Sequence, residues 1–380
     1  MFDTQGPVDA PVSVSDRAGT VLAYRSPVLR SHLVTTSTSS PSASSEPLRL
    51  GLLGAARISE EAVVRPAHEL GVRLVAVAAR SEERARTFAG RHGVERVVAD
   101  YQALVDDPEV EAVYNPLANA LHGPWNLAAV AAGKPVLTEK PFADDAAQAR
   151  EVRDAAARAG VPVVEAFHQL YHPLTARMLE LAQSGEIGDL QLVEARMLMP
   201  PPAPDDPRWS ADLAGGGVMD VGCYALRAVR DLADLRGGEP RVLRAVGGEH
   251  PDHPGVDAWM SADLELPDGV PARVESSMTH HDVDFSLRLV GTRGEAYAPN
   301  FVKPQQDDRV VVTRVGTDPV VERTGVRSSY SHMLEAFVRL VREGTPMRSG
   351  ADDAVASMAL VDAVYDAAGM PRRHGTVASA

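Results

Sequence analysis

Cysteine is almost absent: Cys223 is the single one among 380 residues, so no disulfide can form within the chain. That excludes a disulfide-stapled scaffold and fits a reducing compartment, with the cytoplasm as the expected location. No apolar run approaches the ~18–20 residues that a membrane-spanning helix requires. Positive charge is in deficit, with 38 Lys and Arg against 52 Asp and Glu and a formal net charge of −14. An acidic surface repels phosphate backbones and anionic lipid, so neither nucleic acid nor a membrane surface is an expected partner, although a local basic pocket for one phosphate stays allowed. Aromatics supply only 5 % of the chain, but apolar residues reach 44 %, enough Ala, Val and Leu to bury a sizeable core. The length suits two domains.

Met1–Pro47 carries no persistent helical or strand period, and Thr35–Ser45 is a polar low-complexity tract. The start has no basic stretch followed by a compact apolar one, so it does not read as a secretory signal. Residues 1–47 are expected to be a disordered or loosely attached extension. The other reading is an arm that docks on a partner subunit through Val21–Tyr24.

From Leu48 onward, strands alternate with helices. The expected elements are strands at Leu48–Leu53, Val72–Ala79, Glu109–Tyr114, Pro135–Thr138 and Val161–Phe167. Helices are expected from about Ile58, at Glu82–His92, Leu121–Ala132 and Asp144–Ala159. This is the pattern of a doubly wound parallel sheet. After a helix at Pro173–Ser184 strands dominate, from Leu190–Met199 to Arg309–Val315, with a hairpin turn at Gly291–Gly294. A helical segment interrupts them at Gly217–Leu235, and two helices close the chain at Ser329–Arg342 and Asp352–Ala368. The fold class is therefore α/β, with domains over 48–167 and 168–369 and a flexible tail over 370–380.

Between the first strand and first helix lies Gly51-Leu-Leu-Gly54-Ala-Ala56-Arg57-Ile58-Ser59. Dinucleotide loops need small residues where the chain turns, where backbone meets pyrophosphate and where helix meets strand, and Gly54, Ala56 and Ser59 fall at those spacings. An acid at the end of the second strand would clamp the ribose of NAD. Here Ala79-Arg80-Ser81 stands instead, and a guanidinium with a hydroxyl suits the 2′-phosphate of NADP. NADP is the expected cofactor, with NAD the alternative. Arg57 and Ile58 complete the loop.

Glu139-Lys140-Pro141 follows a strand counted as the fifth, with Asn119 and His122 after the fourth, all at the carboxyl edge of the sheet. His122 reads equally as an ordinary helix-start residue. Lysine is rarely buried without a partner or a task. Gly215-Gly216-Gly217-Val-Met-Asp220-Val-Gly-Cys223-Tyr224 places Asp220 and Tyr224 one helical turn apart. The glycines would let backbone approach a ligand.

These residues together, Gly51–Ser59, Tyr114–Pro141 and the run ending in Asp220-Val-Gly-Cys-Tyr224, resemble the glucose–fructose oxidoreductase / inositol dehydrogenase / rhizopine-catabolism (Gfo/Idh/MocA) family from about Leu48 to Gly369. The resemblance implies a Rossmann domain followed by an α/β domain with an open, mostly antiparallel sheet, and NAD(P)-linked oxidation or reduction of sugar and polyol carbons. It implies that Lys140 is the catalytic lysine and Asp220 its acid. Tyr224 stands where many members have His, as in the NADP-leaning branch with xylose dehydrogenase and dimeric dihydrodiol dehydrogenase. Ala118 departs from the family's usual Pro, and the arginine that relatives often carry near Leu170 is missing.

The expected reaction is hydride transfer between NADP and a secondary alcohol or ketone of a sugar, cyclic polyol or dihydrodiol. Tyr224 exchanges the proton, Lys140 lowers the phenol pKa and polarises oxygen, and Asp220 orients substrate or Lys140. Exchange of the first two roles stays open. Cofactor contacts are expected from Gly54, Ala56, Arg57, Ile58, Ser59, Arg80, Ser81, Asn119, His122, Glu139 and Lys140. Substrate contacts are expected from His168, His172 and Trp209. His280-His281-Asp282 has no further ligand spaced for a metal, and Cys223 reads as packing. Alternatives are a nucleotide-linked 3-ketosugar reductase and a non-catalytic dinucleotide sensor. The expected assembly is a homodimer or homotetramer through the C-terminal sheet.

Overall fold

The structure, a computed structural model, describes residues 46–376. All of the extension read over 1–47 except Glu46 and Pro47 lies outside them. The first half runs β1 (Arg49–Leu53), α1 (Arg65–Leu70), β2 (Arg73–Ala78), α2 (Glu82–His92), α3 (Tyr101–Asp106), β3 (Ala112–Asn115), α4 (Asn119–Ala131), β4 (Val136–Thr138), α5 (Ala146–Ala159) and β5 (Val163–Glu165). The five strands are parallel in the order β2-β1-β3-β4-β5. Both faces are covered, which is why the strands read as apolar runs. Leu50 and Leu52 pack with Ala62, Ala67 and Phe88 on one side, while Leu53 and Val113 meet Leu104, Trp125 and Ala149 on the other. Helix ends follow local rules: Ser81, Asp100 and Asp145 each cap a helix by side chain, and Gly93 and Gly160 end helices in the left-handed conformation.

The strand count is corrected by one. Lys140 follows the fourth strand, β4, and Asn119 the third, β3. Helix α3 had no signal strong enough to be read.

The second half contains α6 (Pro173–Gln183), β6 (Leu190–Leu198), α7 (Cys223–Asp234), β7 (Arg241–His250), β8 (His253–Glu265), β9 (Pro271–Ser277), β10 (Leu287–Gly291), β11 (Gly294–Ala298), β12 (Arg309–Arg314), β13 (Val320–Arg323), α8 (Ser329–Glu343) and α9 (Ala351–Ala367). Its eight strands form one sheet, β13-β12-β11-β10-β6-β9-β8-β7, antiparallel except for β6 beside β9. Gly291 pairs with Gly294, closing the expected two-residue hairpin. β13 was not read from the sequence.

The last two helices reach back to the first half. Tyr330, Met333, Leu334 and Phe337 of α8 join the core around β1, and Ala146 at the start of α5 donates its N–H to Asp362 of α9. The expected flexible tail is also corrected as far as residue 376. Arg373 is 4 % exposed, pairs with the fully buried Asp257 at 2.9 Å and lies over the Tyr365 ring. Gly375 N–H donates to Asp144, and Thr376 hydrogen-bonds Asp212. The final segment thus ties the first half to the second.

Candidate active site

The site assembles at the carboxyl ends of β1, β2 and β4. Gly54 ends β1 with φ +96°, a conformation other residues rarely adopt, and a Cβ there would meet Leu117 at 3.1 Å. Its N–H donates to Ala78 at 2.7 Å. Ser59 is fully buried, and its hydroxyl has no hydrogen-bond partner among the described residues. Arg57 and Arg80 are exposed, and Ser81 caps α2. Arg84, one turn along α2, reaches the loop through the Ala55 carbonyl at 3.3 Å. Its place in the first turn of the helix that Ser81 caps could have revealed it. A tight loop with an unsatisfied hydroxyl, flanked by two guanidiniums, fits a dinucleotide carrying a 2′-phosphate.

Lys140 Nζ donates to the Asp220 carbonyl at 2.6 Å and to Asp220 Oδ1 at 3.2 Å. An ammonium has three N–H bonds, so one remains for a substrate oxygen. Burial works against this charge, but Asp220, aided by Cys223 and Glu139, holds the Lys140 pKa above its ordinary value. Burial alone would raise the Asp220 carboxyl; Lys140 and Arg208 bring it below the usual carboxylate range. Arg208 Nε lies 2.7 Å from Asp220 Oδ2. Arg208 was missed in the sequence because nothing in its proline-rich loop signals a contact with the helix that begins downstream.

Tyr224 begins α7 just after a π-helical turn at Val218–Gly222. Lys140 Nζ sits 5.1 Å from its ring centroid, over the π face rather than at the oxygen. The Tyr224 hydroxyl instead meets His168 Nε2 at 3.2 Å. Burial, reinforced by Tyr330 and Glu139, pushes the phenol well above its ordinary value. The expectation that Lys140 lowers it therefore finds no support in this geometry.

Other expected contacts are corrected. The three glycines before this turn admit the protein's own chain: a Cβ at Gly215 would lie 2.3 Å from the Arg208 carbonyl, and one at Gly216 2.1 Å from Asp257 Oδ1. His122 is 1 % exposed, with its ring nitrogens against the Pro141 and Leu117 carbonyls at 2.6 and 2.8 Å, so it braces two loops. Glu139 is buried and accepts from the Tyr114 hydroxyl at 2.8 Å. Asn119 donates to the Ala214 carbonyl, joining α4 to the loop before Tyr224. None of the three expected substrate contacts lines an open pocket. His168 is fully buried behind Tyr224. His172 caps α6, accepting from Leu174 N–H at 3.1 Å. Trp209 is 4 % exposed and stacks on His253 of β8. Cys223 is buried, its thiol pushed up to about 12 by burial, consistent with packing.

The buried histidines carry a pH prediction. Burial pushes His122 and His172 down to about 4 and His168 well below its ordinary value. The unfolded chain then binds more protons below pH 6.5. Stability should therefore fall as pH drops below 6.5 toward 4. Glu165, pushed up to about 8 by burial, opposes this with a single proton above pH 4.5. Urea midpoints across this range check the net fall.

Residues 48–167 match the profile of an oxidoreductase family with an NAD-binding Rossmann fold, and residues 175–297 match the Gfo/Idh/MocA C-terminal domain. A D-xylose 1-dehydrogenase (NADP(+)) of Haloferax volcanii is 37 % identical over 324 residues, covering 84 % of this chain and 97 % of the relative. A dTDP-3,4-didehydro-2,6-dideoxy-α-D-glucose 3-reductase of Streptomyces violaceoruber is 34 % identical over 333 residues, covering 84 % and 95 %. A 3-ketoreductase of Actinomadura kijaniata, solved with NADP and TDP-benzene, superposes with a TM-score of 0.78 at 29 % identity, covering 85 % and 98 %. It has also been solved with a tyrosine replaced by phenylalanine and with a lysine replaced by alanine. Those two positions are separated by as many residues as Lys140 and Tyr224. Both halves of the sequence match the family's profiles and the two-sheet architecture agrees: the chain belongs to the Gfo/Idh/MocA family of oxidoreductases.

Proposed function

We propose that the protein transfers hydride between NADP and a secondary alcohol or ketone carbon of a sugar, cyclic polyol or dihydrodiol. The observation that carries this is the convergence of Lys140, Asp220 and Tyr224 at the carboxyl edge of the sheet that also carries the Gly54–Ser59 loop. The loop N–H groups and the Ser59 hydroxyl would hold pyrophosphate, and Arg80, Ser81 and Arg84 would hold the 2′-phosphate. When bound, the nicotinamide supplies the hydride donor or acceptor. The remaining Lys140 N–H points charge at the substrate oxygen and stabilises developing alkoxide. Asp220, pinned by Arg208, keeps Lys140 charged and aimed. Tyr224 exchanges the hydroxyl proton.

The xylose dehydrogenase relative supports a free sugar as substrate. The ketoreductase relatives support the second reading, a nucleotide-linked 3-ketosugar. A sensor has no need of all three chemical residues. Among the described residues no helix is long and apolar enough to cross a membrane. The lone buried cysteine supports a cytoplasmic location. Exposed Val246 and Trp259 on β7 and β8 support pairing of two copies through the open sheet, which light scattering would test.

The test of function is a panel of sugars, inositols and diols with NADP and NAD, followed at the reduced-nicotinamide band; turnover of none of them overturns the reading. For the cofactor, NADP should bind more tightly than NAD. Arg80 has no ion-pair partner among the described residues, so Arg80→Ala should erase most of that preference while leaving NAD affinity unchanged. Titration of both nucleotides measures it, and equal wild-type affinities contradict it.

A further inference from the structure

Behind Tyr224 runs a chain of four buried or half-buried polar groups. The Tyr224 hydroxyl meets His168 Nε2 at 3.2 Å, His168 Nδ1 meets Ser329 Oγ at 2.8 Å, and Ser329 Oγ donates to Gln305 Oε1 at 3.1 Å. The direction of each bond can be worked out. With the Gln305 amide placed oxygen-first toward Ser329, and an amide oxygen only accepting, the single Ser329 proton points at Gln305. Toward His168 the same hydroxyl can then only accept, which requires the imidazole proton to sit on Nδ1. A neutral imidazole has one N–H, so Nε2 is bare and accepts the Tyr224 proton. The ring cannot turn to exchange its nitrogens freely, because it is stacked on Tyr330 at 3.7 Å between centroids and is fully buried.

We propose that His168, held in this tautomer by Ser329 and Gln305, is a positioning residue that orients the Tyr224 hydroxyl and takes its proton when the phenol oxygen accepts the proton of a substrate alcohol. The proposal rests on the reading of Tyr224 as proton exchanger and adds where its own proton goes. The inward-pointing O–H leaves the lone pairs of the phenol oxygen for the substrate. In oxidation the substrate O–H bond breaks and a new Tyr224 O–H forms. The former Tyr224 O–H breaks and an Nε2–H bond forms, while the electron pair of the substrate C–H leaves as hydride for the nicotinamide. His168 is left as imidazolium. Once product has gone, the phenol gives its substrate-derived proton to water and recovers its own from Nε2. Reduction runs the same steps backward. No buried phenolate forms at any point, which matters because burial pushes that phenol well above its ordinary value. The groups facing His168 are Tyr224, Tyr330, Ser329, Lys140, Lys303 and His172. Burial, and after it the cations among them, disfavours imidazolium, so the proton is returned rather than stored.

The experiment uses the full chain and two variants, His168→Asn and Tyr224→Phe. In protein labelled with ¹⁵N-histidine and free of cofactor, the His168 signals are identified by their loss in His168→Asn. The expected result is a protonated Nδ1 and a bare Nε2, the latter shifting in Tyr224→Phe; a protonated Nε2 overturns the proposal. In turnover with the best substrate of the panel, His168→Asn keeps a hydrogen-bond acceptor but cannot take a proton. Its kcat should fall about 10²-fold with KM and NADP affinity nearly unchanged. If His168→Asn turns over at the wild-type rate while Tyr224→Phe is impaired, the proposal fails and the reading of Tyr224 stands. If Tyr224→Phe is itself unimpaired, that reading fails and the proposal with it.

Discussion

Lys140→Met should lower kcat by at least ~10²–10⁴-fold while leaving NADP affinity close to wild type. The side chain is nearly isosteric, so packing against the Tyr224 ring survives, but the one ammonium aimed at the reacting oxygen is gone. Its loss also leaves the buried Asp220 carboxylate with Arg208 as its sole ion-pair partner among the described residues. An unpaired buried charge costs several kcal/mol, and here Arg208 limits that cost. The variant should therefore fold and bind cofactor, separating a chemical defect from a structural one. Stopped-flow or steady-state turnover with a parallel cofactor titration makes the distinction.

Tyr224→Phe should cost ~10²–10⁴-fold in kcat, because it removes the hydroxyl yet keeps the ring against Phe167 and under Lys140. Substrate and cofactor binding should survive. Groups that act on the same oxygen in one transition state are not independent, so the double variant should be little worse than the worse single one. If Tyr224→Phe turns over near the wild-type rate while Lys140→Met is dead, Lys140 is the proton shuttle. If neither substitution matters for any substrate, the non-catalytic reading takes precedence.

Much of this site could be read in the sequence because its signals are local. Gly54 at the end of an apolar strand, Arg80 in place of an acid, and a lysine at a buried strand end each follow from chain order alone. The alternating strands and helices were legible because a sheet buried on both faces produces continuous apolar runs. What escaped depended on depth and on distant partners. His168, His172 and Trp209 look in sequence like polar and aromatic groups near a pocket. Yet His168 finds its partner in Ser329, 161 residues away, and is fully buried. Helix α8 brings that serine in, and its return to the first domain has no signature that one sequence could show. Arg373 and Gly375 read as a tail because Gly, Pro and Arg near a terminus usually do. Their order comes from Asp257 and Asp144, charges far away in the chain.

The most direct test of the central claim is a single-turnover mixing of NADP-loaded wild-type enzyme with the best sugar or polyol of the panel, repeated with Tyr224→Phe. The claim that Lys140 and Tyr224 serve hydride transfer to NADP predicts a rapid rise at the reduced-nicotinamide band in the wild type. The variant should show a rise slower by ~10²-fold or more at unchanged NADP affinity. Equal rates in the two proteins, or no rise in wild type with any substrate, would contradict it.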